Sequence, residues 1–482
     1  MRLCFLPRLA VLAACTLAAL VATAATRPNI VFILADDLGW SDLTTYGSSF
    51  YETPNLDRLA AQGVRFTQAY AACSVCSPTR ASLLTGRYPA RLGLTDWIPG
   101  RPDRPDQKLA RAPLLNQLPL EEVTLAEVFR AAGYRTGFIG KWHLGEDAKY
   151  FPDQQGFDVN IAGCGKGHPP SYFSPYGIST LADGPAGEHL DDRLTYEAIK
   201  FVGEAAAKGQ PFLLYLSHYA VHTPLQAKPE LIAKYQAKLA AHAMPAPAIA
   251  QHPQDGNTRV VQSHPTYAAM VESLDTSVGR LVAKLDELGL RENTIVVFTS
   301  DNGGLSTAEG SPTSNLPLRA GKGWAYEGGV REPLIVSWPR HLPAGRTSDA
   351  IVTSPDFFPT LLDLAGLPAE PRLHADGASF APGLRDPAVR PADRPIYWHY
   401  PHYSNQRGRP NSAMRDGRWK LIEWLETGRM ELFDLSADPG EAHDLAAEHP
   451  DTIAALGAKL NAWRTSVGAR MPTPNPNYRS SP

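Results

Sequence analysis

The run Asn29-Ile30-Val31-Phe32-Ile33-Leu34-Ala35 is apolar almost throughout, rich in β-branched residues, and stops on two carboxylates, Asp36-Asp37. A strand with one wet face alternates apolar and polar side chains. A run without alternation needs cover on both faces, which points to a parallel sheet with helices above and below. The pattern recurs at residues 136–139 before Gly140-Lys141, at 212–216 before Ser217-His218, at 294–298 before Thr299-Ser300-Asp301, and at 334–338. Helix-like stretches separate these runs at 54–62, 125–132, 195–207 and 267–288. The last sets Met270, Leu274, Val278, Leu281 and Leu285 on one face. The alternation predicts an α/β core, a mostly parallel sheet flanked by helices, with its site at the carboxyl ends of the strands.

At 482 residues the chain can hold a large core or two unequal domains. Hydrophobic residues at 43% and charged residues at 20% exclude a disordered polyelectrolyte and a membrane channel. Forty-six Lys and Arg against 49 Asp and Glu leave no basic excess, so a dedicated nucleic-acid binder is not expected. Residues 1–24 read as an export signal: Arg2 and Arg8 precede an apolar run that ends at the small residues Ala22-Thr23-Ala24. That run is too short to predict an integral membrane span, so a periplasmic or extracellular location is expected. Lipidation at Cys15 is the alternative, set behind export because few apolar residues precede it and the run continues past it. Cleavage would leave Cys73, Cys76 and Cys164, too few for a disulfide framework. Cys73 reads as a small buried residue, with pairing to Cys164 as the alternative.

Residues 236–265 turn Ala-, Pro-, His- and Gln-rich and read as a surface insertion or a rim loop. Beyond Gly366 the composition shifts again, to short strands at 396–399, 412–415, 419–424 and 431–435 and a helix at 451–464. Asp416-Gly417 marks a hairpin between two of them. The organisation expected is a leader at 1–24, an α/β catalytic domain at 25–375 and a smaller C-terminal antiparallel-sheet domain at 376–482. Its Pro-rich end, from Pro472, is expected to be poorly ordered.

Asp36-Asp37 and Asp301-Asn302-Gly303-Gly304 each follow a buried strand and could meet over one sheet edge. Four oxygen donors suit a hard cation, Ca²⁺ or Mg²⁺, and without soft ligands nothing favours zinc. Taken alone, paired acids at a strand end serve equally well as caps or turns.

The segment Cys76-Ser77-Pro78-Thr79-Arg80-Ala81-Ser82-Leu83-Leu84-Thr85-Gly86-Arg87 resembles the signature of the type I sulfatases of the alkaline phosphatase superfamily, whose cysteine is oxidised to Cα-formylglycine. Further blocks match in order: Asp36-Asp37, Gly140-Lys141-Trp142-His143-Leu144-Gly145, His222-Thr223-Pro224, Thr299-Ser300-Asp301-Asn302-Gly303, and Gly321-Lys322 followed by Glu327-Gly328-Gly329-Val330-Arg331. The resemblance implies an alkaline-phosphatase-like core with a smaller C-terminal domain. It implies one divalent cation, Ca²⁺ before Mg²⁺, held by Asp36, Asp37, Asp301, Asn302 and the modified Cys76. A formylglycine-generating maturation enzyme is implied as a partner.

A sulfated serine would be a stable dead end, whereas the second hydroxyl of a hydrated aldehyde can expel the sulfate. In the roles the family implies, Arg80 and Lys141 hold the diol and a sulfate oxygen, and His143 is the base that releases sulfate. Lys322 and His222 assist departure of the substrate oxygen, a need greatest for alcohols. Trp97, His168 and His402 are candidate substrate contacts from the surrounding loops; His218 is a weaker one. The expected function is hydrolysis of a sulfate monoester on a carbohydrate. Phosphonate or phosphodiester hydrolysis is the near alternative, and an inactive carbohydrate-binding protein the distant one.

Overall fold

A computed structural model describes residues 27–241, 248–252, 256–390 and 393–479. The leader at 1–24 and Cys15 lie outside the described residues. The central strand is Asn29–Ala35, buried throughout. Val31 and Ile33 enter one core, while Ile30, Phe32 and Leu34 enter another on the opposite face. Helices Pro54–Ala61, Leu190–Ala207 and Pro265–Glu287 close the first core. Cys76–Thr85, Leu125–Ala131 and Phe357–Leu364 close the second. Phe32 stacks on Tyr215 at 4.8 Å and meets Phe357 edge-on at 5.4 Å. Each large apolar side chain taken from water contributes about 1.5–3 kcal/mol, which is why this strand carries no polar alternation.

Across the core sheet the strand order is Arg346–Ser348, Val64–Tyr70, Arg331–Ser337, Thr294–Ser300, Asn29–Ala35, Phe212–Ser217, Arg135–Gly140 and Val159–Ile161, with Val352–Thr353 also paired to Val64–Tyr70. All neighbours run parallel except Arg331–Ser337, which opposes both strands beside it. A parallel entry would need a crossover to the far end of the sheet. Here the connection ends in the helical turn Glu327–Val330, whose Gly329 carbonyl accepts from Gly303 N just past the preceding strand, so the next strand starts at that same end. Ala35 pairs with Ser300, Leu34 with Ser217 and Gly140 with Ser217, so four adjacent parallel strands end level.

The second sheet is antiparallel in chain order: Ile396–Tyr400, Asn411–Asp416, Trp419–Trp424 and Arg429–Asp434. Asp416 pairs with Trp419 across the expected hairpin, where Gly417 takes φ +57°. The helix Pro450–Ser466 covers one face through Leu456, Leu460 and Trp463. The other face packs Trp398, Ile422 and Phe433 against Tyr70, Trp324 and Tyr326 of the core domain.

One expectation changes. The Pro-rich end is docked: Thr473–Pro474 pairs with Leu109–Ala110, and the Asn475 side chain donates to the carbonyls of Arg104 at 2.9 Å and Gln107 at 2.8 Å. A strand can be completed from outside, so proline content alone did not forbid order. Cys73, Cys76 and Cys164 are separate buried thiols, as the first reading of Cys73 had it, and the alternative Cys73–Cys164 bond is not formed. The helix Pro229–Ala241 runs into the insertion, whose described residues also form a hairpin of Ile249–His252 with Gly256–Arg259. Among the described residues no helix is long and apolar enough to cross a membrane.

Candidate active site

The level ends of the four parallel strands deliver the polar residues that follow them to one place. Asp36 and Asp37 leave the central strand, Asp301 and Asn302 leave Thr294–Ser300, and Lys141 and His143 leave Arg135–Gly140. Lys141 Nζ donates to Asp36 Oδ2 at 2.7 Å, with both side chains fully buried. Gly140 allows this: at φ +114° any Cβ there would lie 1.7 Å from Ser217 O, the carbonyl that takes the Lys141 amide at 2.7 Å.

The helix Cys76–Thr85 supplies Cys76 at its first position, and one turn on, Arg80 points the same way. Arg80 Nε donates to Asp301 Oδ2 at 2.8 Å, and its Nη1 donates to Lys141 O at 2.8 Å and Ser217 Oγ at 2.7 Å. Lys322 arrives from the loop beyond Asn302. Its Nζ donates to Asp37 Oδ2 at 2.7 Å and lies 3.1 Å from His222 Nε2.

The two histidines have fixed tautomers. His143 Nε2 lies 2.7 Å from Ile98 O, which can only accept, so that nitrogen carries the proton. The bare Nδ1 then faces Cys76 Sγ at 3.3 Å. Gly167 lies on this ring, where a Cβ would come within 2.6 Å of it. His222 Nδ1 lies 2.8 Å from Thr223 O and is protonated by the same logic, leaving Nε2 to accept from Lys322. Burial and the nearby lysines push both imidazoles well below their ordinary range. They are neutral bases, not cations.

Burial pushes the Asp36 carboxyl up to about 8 although Lys141 pulls it down, with Asp301 and Asp37 adding to the rise. Burial also disfavours the charge on Asp37, but Lys322, His222 and Lys141 outweigh it and hold that group low. Burial raises the Cys76 thiol despite Lys141 and Lys322. Two buried acceptors, Asp36 Oδ1 and Asn302 Oδ1, make no hydrogen bond. The nearest cation to the former, Arg80 Nη2, stands 3.7 Å away. Buried lone pairs left unpaired are costly, and a cation between them would satisfy both. Ligand atoms of Asp36, Asp37 and His222 all lie within 4.8 Å of one another, so the buried cluster can hold a divalent ion. The donors present fit such an ion.

Above this floor opens a cavity of ≈ 650 Å³. Cys76, His143, His222 and Lys322 line its base, with Trp97 and His168 on its walls. His168 stacks over His222 at 6.1 Å between rings. Trp97 is half-buried and packs on Cys73, Val75 and Tyr400. His402 is not among the lining residues: it is buried with Nε2 2.8 Å from Thr95 Oγ1. His218 is fully buried too, between Asp191 at 3.2 Å and Ser277 at 3.1 Å. Glu146, Lys166, Glu309 and Gln406 complete the wall without having been singled out in the sequence. Lone charged loop residues look like ordinary solvated surface, and nothing local distinguished them. Ile98 O likewise left no signal.

The sulfatase family model matches residues 28–367, most of the chain. The chain belongs to the type I sulfatase family. A second model, the C-terminal region of N-sulphoglucosamine sulphohydrolase, matches residues 320–466 of this sulfatase. A sulfatase of Formosa agariphila is 32% identical, with 91% of this chain and 88% of that protein covered. Human arylsulfatase A is 33% identical, with 90% and 87% covered. The crystal structure of Ps i-CgsB in complex with k-i-k-neocarrahexaose superposes with a TM-score of 0.74 at 31% identity, over 91% of this chain and 92% of that one. The chemistry of this sulfatase is hydrolysis of sulfate monoesters, beside a buried Asp36, Asp37 and His222 cluster that can hold a divalent ion.

Proposed function

We propose that this sulfatase is exported and removes sulfate from a carbohydrate, using a formylglycine made from Cys76 and a bound Ca²⁺. The observation that carries the reading is the bare His143 Nδ1 facing Cys76 Sγ at 3.3 Å beside an acidic pocket with unpaired oxygens. Asp36, Asp37, Asp301 and Asn302 would hold the ion, with Mg²⁺ the competing occupant. The cation would polarise the sulfate, and the hydrated aldehyde would supply the attacking oxygen and a second hydroxyl through which sulfate leaves.

The chain's own residues do the rest. Arg80 and Lys141 fix the side chain at 76 and one sulfate oxygen from the buried side. His143, neutral and already a proton donor to Ile98 O, has one free lone pair and takes the proton that must leave before sulfate can be expelled. Lys322 binds sulfate and, held beside His222 Nε2, assists departure of the substrate oxygen, which a sugar alcohol needs. The aromatic ring of Trp97 and the imidazole of His168 suit the apolar face and hydroxyls of a sugar ring. His402 serves from behind the wall, not in contact.

The test starts with protein co-expressed with a formylglycine-generating enzyme. Conversion lowers the mass of the peptide containing residue 76 by about 18 Da. That protein is then screened on monosulfated monosaccharides and on a phosphodiester. Turnover of a sulfated sugar is expected. Preference for the phosphodiester, or sugar binding without turnover at full conversion, overturns the proposal.

A further inference from the structure

The reaction uses the floor of the cavity and leaves two carboxylates on its rim, Glu146 and Glu309, without a task. Glu309 is held in an unusual way. It sits at φ +54°, followed by Gly310 at +85° and Ser311 at +44°, a left-handed run that side chains with a Cβ rarely adopt. The run is tied on both flanks: Ser311 N donates to Ala308 O at 2.8 Å, Arg259 N donates to Ser306 O at 2.8 Å, and the Arg259 side chain donates to Ser311 O. From the other domain, the Gln406 amide donates to the Glu309 carboxylate. Gln406 is itself buried, with its carbonyl accepting from Trp324 Nε1 at 2.8 Å and Thr307 Oγ1 at 3.2 Å. A strained backbone kept by this many contacts on an exposed loop fixes where one carboxylate stands.

A carboxylate and a sulfate ester are both acceptors only and both negative, whereas a sugar hydroxyl can donate. One position therefore welcomes a hydroxyl and rejects a sulfate. Lys166, also exposed, and Lys322 below are the lysines of the lining, so the two carboxylates leave no net excess and the discrimination rests on where Glu309 stands.

We infer that Glu309, propped by Gln406, together with Glu146, selects saccharides in which the sulfate to be cleaved is the sole anionic group, by accepting hydrogen bonds from the neighbouring hydroxyls. The inference rests on the sulfatase reading and adds the class of sugar. Formylglycine-containing enzyme is assayed on a monosulfated monosaccharide and on the same sugar carrying a second sulfate, as wild type, Glu309→Gln and Glu146→Gln. The exposed loop tolerates an isosteric amide, and unchanged thermal melting checks this. Wild type is expected to favour the monosulfated sugar by about tenfold or more in kcat/KM, the size of one lost charge-assisted hydrogen bond. Glu309→Gln should contract that preference by about threefold or more, chiefly by lowering kcat/KM on the monosulfated sugar. A wild type with no charge preference, or a Glu309→Gln enzyme whose preference moves less, overturns the inference. Both results leave the sulfatase reading intact; absence of turnover on every sulfate ester after full conversion removes both.

Discussion

Floor and rim of this cavity are neighbours in the chain, Lys322 near Glu309 and His143 near Glu146, but they are held in opposite ways. On the floor, Asp36, Lys141, Arg80 and Asp301 are buried, and each takes its place from a strand end or a helix turn. On the rim, Glu146, Lys166 and Glu309 are exposed on loops, and Gln406, which donates to the Glu309 carboxylate, belongs to the other domain. Charge that stabilises a transition state must already be in place in a water-poor site, so it is built on the sheet. Charge that discriminates between substrates acts at the mouth, where loops can vary without disturbing the sheet.

The sharpest way to break this division is Cys76→Ala. Loss of the proposed nucleophile should cost about 10⁴-fold or more in kcat on sugar and aryl sulfates alike, whereas rim substitutions shift ratios between substrates. Initial rates on both esters decide it; an alanine enzyme with a tenth of the wild-type rate would mean that residue 76 does not carry the reaction.

Next in size is the joint between the domains. Lys420 is fully buried between Glu327 and Glu441, 2.9 Å from each. Glu441 also accepts from Glu327 N at 2.6 Å. Lys420→Met removes the cation the two carboxylates share, leaving Glu327 with Tyr70 at 2.8 Å and Arg331 at 3.4 Å, and should lower stability by about 3–5 kcal/mol in chemical denaturation. The turn they anchor holds Gly303 through Gly329 O at 3.2 Å, beside Asn302. Floor and rim should therefore both suffer, which separates this variant from any rim substitution. A loss below about 1 kcal/mol, the worth of an exposed pair, would show that the joint is not needed.

His222→Ala should follow, with about 10²–10³ lost in kcat on a sugar sulfate. The loss should be much smaller on nitrophenyl sulfate, whose phenolate leaves without a proton. Equal losses on the two esters would move His222 from proton transfer to metal holding, the other role its place beside Asp36 and Asp37 permits.

The floor was legible because strand ends in a parallel sheet are local signals that register brings together. An unalternating run followed by polar residues announced each end, and the Cys76 block fixed which ends mattered. The reversal of Arg331–Ser337 was not legible, since an apolar run carries no direction. His402 drew notice within an aromatic cluster, yet its partner is Thr95, far along the chain, and that contact turns it away from the cavity. The rim was silent for a related reason: Glu309 gains its meaning from a left-handed backbone and from Gln406, neither of which a neighbouring residue declares.

The smallest effect sharpens the comparison through pH. His399 accepts or donates between Ser412 Oγ at 2.8 Å and Arg470 O at 3.0 Å, and His402 sits against Thr95 behind Trp97. Burial pushes His399 down to about 4. Burial, with His399 and Arg111 nearby, pushes His402 down to about 3. Both are neutral when folded and take protons near pH 6.5 when unfolded. Below that value the unfolded chain binds more protons, so stability is complete above about pH 6.5 and is lost as pH falls toward 4. At pH 5 each histidine should cost about 2 kcal/mol, from 1.36 kcal/mol per pH unit. Calorimetry of His402→Asn should show a shallower decline between pH 7 and 5 than wild type, by about that amount. Parallel declines in wild type and His402→Asn would place the acid sensitivity elsewhere, in the carboxylates of the floor.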